Sequence, residues 1–384
     1  MEENTKEQTT IIGVFLPSNS INKIEKNKGS LLWREMVEAN KNWQTTLYFF
    51  CEKDIDYNTK EINGIYFDTH LNKWTRNQFP YPNILYRRVS TLNQEKCQKF
   101  LKQIEERNIM IINYDRIFNK WDLHQQCSNS SFFSKYLPET IDYENRKSLL
   151  TMLNKYKELY LKKYCSGQGK DVLKVIKFSP SHYECQYFRT RLRIKTFRSF
   201  SSLVNYVESF FQNKEFIIQE AIRFQTYNGR PFDIRAELQR DINNQINITG
   251  ITVRAGKKKS PVTTHGNSYK LESFFIKKLH YTKKEFIQLE QEMNTFLKDV
   301  YKNIEKIYGS CGELGIDFGI DQDHKLWFIE TNAQTKKVSL RKAYGSGKVR
   351  ETYNHLLGYA KLLTDKPELF NEGNMVSLNS QNVS

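Results

Sequence analysis

The sequence predicts an N-terminal α/β domain followed by a larger α+β region. Apolar, strand-like runs alternate with helix-like segments over roughly the first 110 residues, and this alternation is typical of an open α/β layer. From residue 159 onward, pairs of strand-like runs flank short loops that contain Gly or Asn, which is typical of antiparallel hairpins. A chain of 384 residues is long enough for two or three domains.

The N-terminal domain is expected to begin with a buried strand, because residues 11–16 form a short apolar run. Pro80 and Pro82 break the chain before a further strand that ends in Arg87 and Arg88. The predicted strands cover residues 11–16, 45–50, 62–67, 84–86 and 109–113, and the predicted helices cover residues 31–40 and 94–107. We assign residues 11–115 to this domain and residues 1–10 to a flexible N-terminus.

The region after residue 115 is expected to contain two lobes. Leu203, Val207 and Phe210 recur at helical spacing, which predicts an amphipathic helix over residues 200–211. The other predicted helix covers residues 284–308, and the predicted strands cover residues 159–163, 172–178, 216–219, 232–239, 246–253, 315–321 and 326–332. We assign residues 116–365 to this region, about 150–222 to its smaller lobe, and 366–384 to a flexible, polar tail.

Charge and composition restrict the partners of the protein. Lys and Arg number 59 against 43 Asp and Glu, and the resulting charge of +16 predicts an anionic partner. No apolar run approaches the roughly 20 residues that a bilayer span needs, and residues 1–10 do not resemble a secretory signal. Hydrophobic residues make up 39%, so we expect a folded protein. Scattered cysteines without a C-x-x-C pair favour reduced thiols and a cytoplasmic location.

The last predicted hairpin gives the sharpest chemical signal. We take Asp321 to pair with Leu326 across the turn. That register places Asp317 directly opposite Glu330, and the alternation of strand side chains puts Asn332 on the same face as Glu330. Two carboxylates and one amide oxygen would then converge, and such oxygen-only ligands favour magnesium, with manganese as an alternative. For an isolated hairpin, the competing interpretation is an exposed polar strand face.

Several motifs resemble those of one protein family. Residues 312–317 and 327–332 resemble the metal-binding end of the ATP-grasp superfamily, and residues 229–235 resemble its basic strand. Residues 118–121 with 137–140 resemble the entry segment of that superfamily. Motifs at residues 13–18, 80–88 and 118–120 are similar to those of the narrower, spore-coat-associated YheC/YheD-type family. The resemblance covers about residues 11–360, and it depends on the order and spacing of the motifs together.

The resemblance implies an ATP-grasp fold, in which a pre-grasp domain precedes two lobes that sandwich ATP. It implies that Asp317, Glu330 and Asn332 hold magnesium between the ATP phosphates. The residues that it implies for ATP binding are Lys120, Lys162, Gly167, Gly169 and Glu220. The lysines would contact phosphates as compact cations, the glycine loop would offer backbone N–H groups, and the glutamate would bind ribose hydroxyls. A connecting glycine turn and a solvent-facing glutamate are the alternatives.

The chain departs from the family pattern at two places. The family's Lys-Pro pair is Lys162-Lys163 here, so either lysine is a candidate for the ATP contact. The family's Glu-Val-Asn-Ser-Lys-Pro is Glu-Thr-Asn-Ala-Gln-Thr here, at residues 330–335. The metal-ligand types are kept and the turn after them differs, so this loop bears on the choice of substrate.

Three further arginines are candidates for the site. Arg235 and Arg254 lie on neighbouring predicted strands, where they would meet the transferred phosphoryl group or a carboxylate bidentately, and we assign them catalytic roles. Arg88 ends a strand of the N-terminal domain, where α/β layers place ligand contacts. The resemblance favours Arg88 over Arg87 as a substrate contact.

A row of basic residues points to an acidic substrate. Arg189, Arg191, Arg193 and Lys195 alternate with uncharged residues, which predicts one strand face with four cations. We assign Arg189 and Arg191 to substrate binding. The alternatives are an edge strand protected against aggregation and a surface for a nucleic-acid backbone.

The predicted function is that of an ATP- and magnesium-dependent ligase that joins a carboxylate to an amine. The carboxylate would attack the γ-phosphate to give an acylphosphate and ADP, and the amine would then displace phosphate. The expected partners are ATP, an anionic carboxylate or peptide, and an amine acceptor, without a membrane. Two alternatives stay open: an ATP-dependent kinase of a hydroxyl group, and a non-catalytic, nucleotide-binding protein of the spore coat. Nucleic-acid binding is supported by charge alone.

Overall fold

Three β-sheets organise the chain, one in the N-terminal domain and one in each of the two lobes that follow. A computed structural model describes residues 9–28, 31–89, 95–113, 119–165, 171–212, 214–258, 260–263 and 266–370. The predicted fold class, an α/β domain followed by an α+β region, is confirmed. Most of the segments predicted to be flexible, residues 1–8 and 371–384, lie outside the described residues.

The N-terminal sheet combines a parallel core with an antiparallel hairpin. Its strands are β1 (Ile11–Phe15), β2 (Thr46–Phe50), β3 (Ile55–Asp56), β4 (Glu61–Asp68), β5 (Lys73–Pro80), β6 (Ile84–Arg87) and β7 (Met110–Ile112). The order is β3-β4-β2-β1-β6-β7, with β5 paired to β4, and β1 is parallel to β2 and β6. Helices α1 (Ser18–Glu25), α2 (Leu31–Asn40) and α3 (Glu95–Glu106) complete the domain.

Strand β5 is absent from the sequence prediction. It lies at the margin of the sheet and pairs with β4, so most of its residues stay exposed or half-buried and show no apolar alternation. Pro80 is its last residue, and a strand end at a sheet margin tolerates Pro because no ladder donor is lost. The chain break predicted at Pro80 is therefore the end of a strand.

The smaller lobe is built on an antiparallel sheet. Its strands are β8 (Thr140–Asp142), β9 (Glu158–Lys163), β10 (Val172–Ser179), β11 (His182–Phe188), β12 (Leu192–Phe197) and β13 (Phe216–Glu220), in the order β12-β11-β10-β9-β13-β8. Helix α4 (Lys120–Ser128) precedes it, and helices α5 (Arg146–Tyr156) and α6 (Phe200–Phe211) belong to it. Asn145 and Ser199 cap the latter two helices through side-chain oxygens, which begins each helix at the observed residue.

The larger lobe carries the last predicted hairpin. Its strands are β14 (Thr226–Tyr227), β15 (Arg230–Arg240), β16 (Ile246–Ala255), β17 (Asn267–Lys270), β18 (Glu313–Ile320) and β19 (Leu326–Asn332). The order is β17-β16-β15-β18-β19, with β14 paired to β15. The helices are α7 (Leu271–Lys278), α8 (Lys283–Tyr308), α9 (Val338–Tyr344) and α10 (Ser346–Asp365).

The two faces of this sheet have different environments. Ile234, Ala236, Ile316 and Phe318 share an apolar core with helix α8, which a capping box at Thr282 begins. Because strand side chains alternate, the residues between them on β15 and β18 point to the opposite face. Helix α10 packs against α2 and β15, so the chain returns to the N-terminal domain after the hairpin. The polar face of the sheet is thus placed near that domain.

No helix among the described residues has both the length and the apolar character needed to cross a bilayer.

Candidate active site

The hairpin of β18 and β19 brings the three predicted metal ligands together. Asp317 lies directly opposite Glu330, as predicted, and Nδ2 of Asn332 donates to Oε1 of Glu330 at 3.4 Å. Asp317 is buried, whereas Glu330 and Asn332 are half-buried. Two carboxylates and one amide oxygen form the hard donor set that suits magnesium. In the described part of the chain, no cluster of three or more His, Cys, Asp or Glu side chains offers another metal site.

The predicted register is wrong at the turn of this hairpin. Ile320, rather than Asp321, pairs with Leu326. Asp321 belongs to the turn, where its carboxylate accepts the backbone N–H of Lys325 at 2.9 Å. A β-bulge at Ile329 then shifts the pairing by one residue. Asp317 therefore lies opposite Glu330, as predicted, although the pairing at the turn differs.

Both predicted catalytic arginines contact a predicted metal ligand. Arg235 lies opposite Asp317 on β15 and binds both of its carboxylate oxygens, with Nη2 2.7 Å from Oδ2. Nη2 of Arg254 lies 3.0 Å from the same oxygen, and Arg254 also binds Asp233 bidentately at 2.7 and 2.6 Å. From the sequence, both guanidinium groups are expected to meet the transferred phosphoryl group or a substrate carboxylate, and the contacts with Asp317 and Asp233 are not predicted.

The charge of Asp317 is strongly stabilised by this arrangement. Burial alone would raise the pKa of Asp317, but Arg235 and Arg254 outweigh that effect and lower the pKa to about 2. The carboxylate is therefore ionised at any physiological pH, as a metal ligand must be.

A cleft opens beside the hairpin, between strands β9 and β13 of the smaller lobe and strand β19 of the larger one. Its walls combine apolar side chains with two lysines, an imidazole, an amide and a carboxylate. The lining residues are Lys120, Leu123, His124, Leu137, Lys162, Ile217, Gln219, Phe328, Ile329 and Glu330. Apolar walls suit a planar base and lysines suit phosphates, so the cleft has the chemistry of a nucleotide site.

The two predicted phosphate-binding lysines both line this cleft. Lys120 is the first residue of α4, which Asn119 caps, and its Nζ lies 3.4 Å from Oε2 of Glu330. Nζ of Lys162 donates to Oε1 of Gln219 at 2.6 Å. Burial lowers the pKa of Lys162 to about 8; the Glu330 carboxylate opposes this shift and the Lys120 ammonium adds to it. The Lys162 ammonium group thus loses its proton, and with it its positive charge, as the pH rises through about 8.

The structure distinguishes the two lysines that the sequence left open. Lys162 is among the residues that line the cleft, and strand alternation directs its neighbour Lys163 to the opposite face of β9. Glu220, predicted to bind ribose, lies beside Glu139, whose backbone N–H it accepts at 3.3 Å. Gly167 and Gly169 lie outside the described residues.

Sequence reasoning missed several lining residues. Gln219 has a signal that could have identified it, because it lies two residues after Ile217 and therefore shares its strand face. His124 lies one helical turn after Lys120 and so shares its helix face. The apolar lining residues have no such signal, because the sequence does not distinguish cleft walls from core.

Arg88 contacts protein groups in this structure. Its Nη1 donates to Oε1 of Glu313 at 2.9 Å, and its Nη2 donates to the carbonyl oxygen of Thr335 at 2.7 Å. Lys337 binds the second carboxylate oxygen of Glu313. Burial would raise the pKa of Glu313, but Lys337 and Arg88 outweigh it and lower the pKa. Arg88 thus holds the loop after Asn332, and a substrate contact for it stays a prediction.

The predicted row of four cations on one strand is wrong. Arg189 and Arg191 lie in the turn between β11 and β12, where the N–H of Arg189 donates to the carbonyl oxygen of Arg191 at 3.3 Å. Arg193 and Lys195 alone belong to β12, the edge strand of its sheet. The tight turn interrupts the strand, so the alternation in the sequence does not correspond to one face.

The turn nevertheless lies at the edge of the interlobe region. Hairpins β9–β10 and β11–β12 turn at the same end of the antiparallel sheet, because β10 returns the chain between them. From the larger lobe, Nζ of Lys257 lies 5.4 Å from the ring centre of Phe188, at the end of β11. Arg189 and Arg191, both exposed, and Lys257 form a surface that we call the basic rim.

Comparisons with known proteins agree with this architecture. The chain is 23% identical over 340 residues to the endospore coat-associated protein YheD of Bacillus subtilis (strain 168), over 84% of this chain and 72% of YheD. Its fold is similar to that of the ATP-grasp ligase PsnB complexed with a minimal precursor, with a TM-score of 0.53, 12% identity, and 92% and 100% of the two chains covered. The VanG D-Ala:D-Ser ligase from Enterococcus faecalis gives a TM-score of 0.53 at 11% identity, with 92% and 100% covered.

These structural similarities show a shared fold, and the family itself follows from the sequence match. The model of the family described as YheC/D like ATP-grasp matches residues 108–363, more than half of the chain. That span contains β8 to β19, and thus both lobes, the cleft and the hairpin. The resemblance inferred from the motifs is confirmed, and the chain belongs to the YheC/D-like ATP-grasp family.

Proposed function

We propose that this protein is an ATP- and magnesium-dependent ligase that joins a carboxylate to an amine. One observation carries the proposal: Glu330 both lines the cleft and lies opposite Asp317, so a nucleotide site and an oxygen donor set meet at one side chain. Manganese is an alternative metal, because the donor set is the same. The family membership and the ligase names of the structural neighbours support this proposal.

The residues of the site have distinct proposed roles. Asp317, Glu330 and Asn332 would hold the magnesium ion, which supplies positive charge for the phosphate oxygens. Lys120 and Lys162 would bind the phosphates as point charges. No side-chain nucleophile is required, because positioning and charge stabilisation dominate phosphoryl transfer.

The arginines would act when charge moves during the reaction. A guanidinium group that already lies against Asp317 is fixed in orientation, so it needs little rearrangement to contact a phosphoryl oxygen. Arg254 has two carboxylate partners, and it can therefore turn one N–H group to a substrate while Asp233 keeps holding it.

The proposed reaction has two steps. In the first, a carboxylate oxygen of the substrate attacks the γ-phosphorus, the bond to the bridging oxygen breaks, and ADP leaves. In the second, the amine nitrogen attacks the acyl carbon, the bond from that carbon to the phosphate oxygen breaks, and inorganic phosphate leaves. The amine nitrogen loses one proton as the C–N bond forms.

We propose an anionic substrate, such as an acidic peptide. Arg189, Arg191 and Lys257 form the basic rim, and the net charge of +16 favours the approach of an anion. PsnB, which shares the fold, is described with a peptide precursor. A spore-associated, cytoplasmic role is part of the proposal and is supported by the name of YheD.

Hydroxylamine trapping tests the chemistry. An acylphosphate is a mixed anhydride that hydroxylamine converts to a hydroxamate, whereas a phosphoester is not converted. We expect hydroxamate when the protein is incubated with ATP, magnesium, hydroxylamine and a panel of acidic peptides and amino acids. A product that retains the γ-phosphate without any hydroxamate would establish the kinase alternative. Nucleotide binding without ADP release on any acceptor would support a non-catalytic protein.

A further inference from the structure

Asn113 connects the N-terminal domain to the hairpin that carries the proposed metal ligands. It follows strand β7, and its side chain is 1% exposed. Its Oδ1 accepts the backbone N–H groups of Gly312 at 2.8 Å and of Glu313 at 3.1 Å. Its Nδ2 donates to the carbonyl oxygen of Glu313 at 2.7 Å and to that of Ala333. One carboxamide therefore uses both its donor and its acceptor capacity on the segments where β18 begins and where the chain leaves β19.

These hydrogen bonds lie where the ladder between β18 and β19 ends. The last backbone pair in that direction is Gly315 with Asn332. Beyond it, the Asn113 carboxamide lies between Glu313 on one strand and Ala333 after the other, in place of further cross-strand hydrogen bonds. The separation of the strands is thus fixed by Asn113 at the open end of the hairpin. Ala333 directly follows the proposed ligand Asn332, so that ligand is fixed as well.

The backbone of Asn113 explains why this residue type suits the position. Its φ is 58°, in the left-handed region that Asn, Asp and Gly tolerate better than other residues. A carboxamide also offers donors and an acceptor at once, which neither a carboxylate nor a hydrocarbon does. Asn thus combines the required backbone conformation with the required hydrogen bonds.

We infer that Asn113 is a positioning residue, which sets the spacing of Asp317, Glu330 and Asn332 and so tunes the affinity for the divalent cation. The inference rests on the proposed function, because it takes these three residues as the metal ligands. The side chain of Asn113 is buried and is not among the residues that line the cleft. Removal of a group that orients metal ligands without binding the metal itself commonly weakens metal affinity by about 10- to 100-fold.

Two substitutions separate positioning from general folding. Asn113→Gly removes the carboxamide and keeps the left-handed backbone without strain. Asn113→Asp keeps the shape and the acceptor but loses the two donated hydrogen bonds. Asn72→Gly is the matched control, because Asn72 also has a left-handed backbone, with φ 48°, and is exposed in the turn between β4 and β5.

The measurement is the affinity for Mn²⁺ in the presence of ADP, followed by electron paramagnetic resonance, together with the thermal midpoint. We expect both Asn113 variants to bind Mn²⁺ at least about tenfold more weakly than the wild type, and Asn72→Gly to be unchanged. A lower thermal midpoint with wild-type Mn²⁺ affinity in Asn113→Gly would overturn the inference and leave Asn113 a purely structural contact. If Asn113→Gly does not fold, the Mn²⁺ affinity of Asn113→Asp is decisive: weaker binding supports the inference, and wild-type affinity overturns it.

Glu330→Gln, measured in parallel, distinguishes this inference from the proposed function. If Glu330→Gln loses Mn²⁺ and the Asn113 variants do not, the metal site stands and the inference fails. If Glu330→Gln keeps wild-type Mn²⁺ affinity, the proposed metal site is wrong, and the inference about its positioning falls with it.

Discussion

Nζ of Lys120 lies 3.4 Å from Oε2 of Glu330, so the first residue of α4 contacts the strand that carries the proposed metal ligands. Glu330 also lines the cleft and lies opposite Asp317. One carboxylate therefore links the nucleotide side of the proposed site to its metal side. Changes at Glu330 should affect both metal binding and ATP binding. Changes at Lys162 should affect ATP binding, and changes at Arg254 should affect turnover.

The affinity for ATP should fall as the pH rises through about 8. Burial lowers the pKa of Lys162 to about 8, so the free protein loses the Lys162 proton above that pH, whereas phosphate binds the charged form. ATP binding should therefore take up a proton near pH 8. Titration calorimetry in buffers of different ionisation enthalpy measures this uptake.

Lys162→Arg is the control for this pH dependence, because a guanidinium group stays charged throughout the range. The variant should show an ATP affinity that is flat from about pH 7 to about pH 9. A wild-type affinity that is equally flat would exclude Lys162 as the titrating phosphate contact.

Replacement of Arg254 should affect turnover more than ATP binding. In Arg254→Lys the bidentate geometry is lost while a positive charge is kept. We expect kcat to fall by about 100-fold or more with little change in KM for ATP, because the contact strengthens as charge moves in the transition state. Arg240→Lys, which disrupts a comparable bidentate pair between Arg240 at the end of β15 and Glu305 on α8, is the matched control. An increase in KM at unchanged kcat would assign Arg254 to ground-state binding.

The sequence predicts most of the site, because its motifs lie on regular strands. The opposition of Asp317 and Glu330 is predicted from a turn pairing that is wrong by one residue, and it holds because the bulge at Ile329 shifts the register back by one residue. The turn at Arg189 and Arg191 is not predicted, because a sequence of alternating cations can form one continuous strand or contain a hairpin turn.

Contacts between distant segments could not be predicted from one sequence. The bonds from Asn113 to Glu313 and from Arg254 to Asp317 join elements whose relative position depends on packing of the whole fold. Strand β5 was missed for another reason, because an edge strand with half-exposed residues has no apolar alternation.

The basic rim should matter for long anionic acceptors. We expect the double variant Arg189→Ser with Arg191→Ser to lose ADP release on acidic peptides, with the wild-type rate on the same peptides falling as salt rises. Rates on single amino acids should not change. The double variant Arg193→Ser with Lys195→Ser, on the edge strand, is the charge-matched control. Equal effects of both double variants would mean that the basic rim acts only through its contribution to the net charge and does not bind the peptide.

The buried ion pair between Lys337 and Glu313 should contribute strongly to stability. Lys337→Met leaves a buried carboxylate with one partner fewer, and we expect the free energy of unfolding to fall by about 3 kcal/mol. Lys41→Met, which removes an exposed ion pair with Glu38, should cost less than about 1 kcal/mol. Urea unfolding followed by circular dichroism measures both.

This pair also predicts a pH dependence. The pKa of Glu313 is lowered in the folded protein, so its contribution to stability is present above its unfolded pKa and is lost as the pH falls through the folded one. In Lys337→Met the folded pKa rises, so stability should be lost at a higher pH than in the wild type. Parallel curves of the urea midpoint against pH for the two proteins would contradict this.

The most direct test of the proposed site is a titration of ATP, with and without magnesium, into the wild type and Glu330→Gln. We expect magnesium to tighten ATP binding to the wild type, because Asp317, Glu330 and Asn332 would share the ion with the phosphates. Glu330→Gln should lose most of that gain while it still binds ATP through Lys162. Equal ATP affinities of the two proteins, both with and without magnesium, would contradict the proposed function.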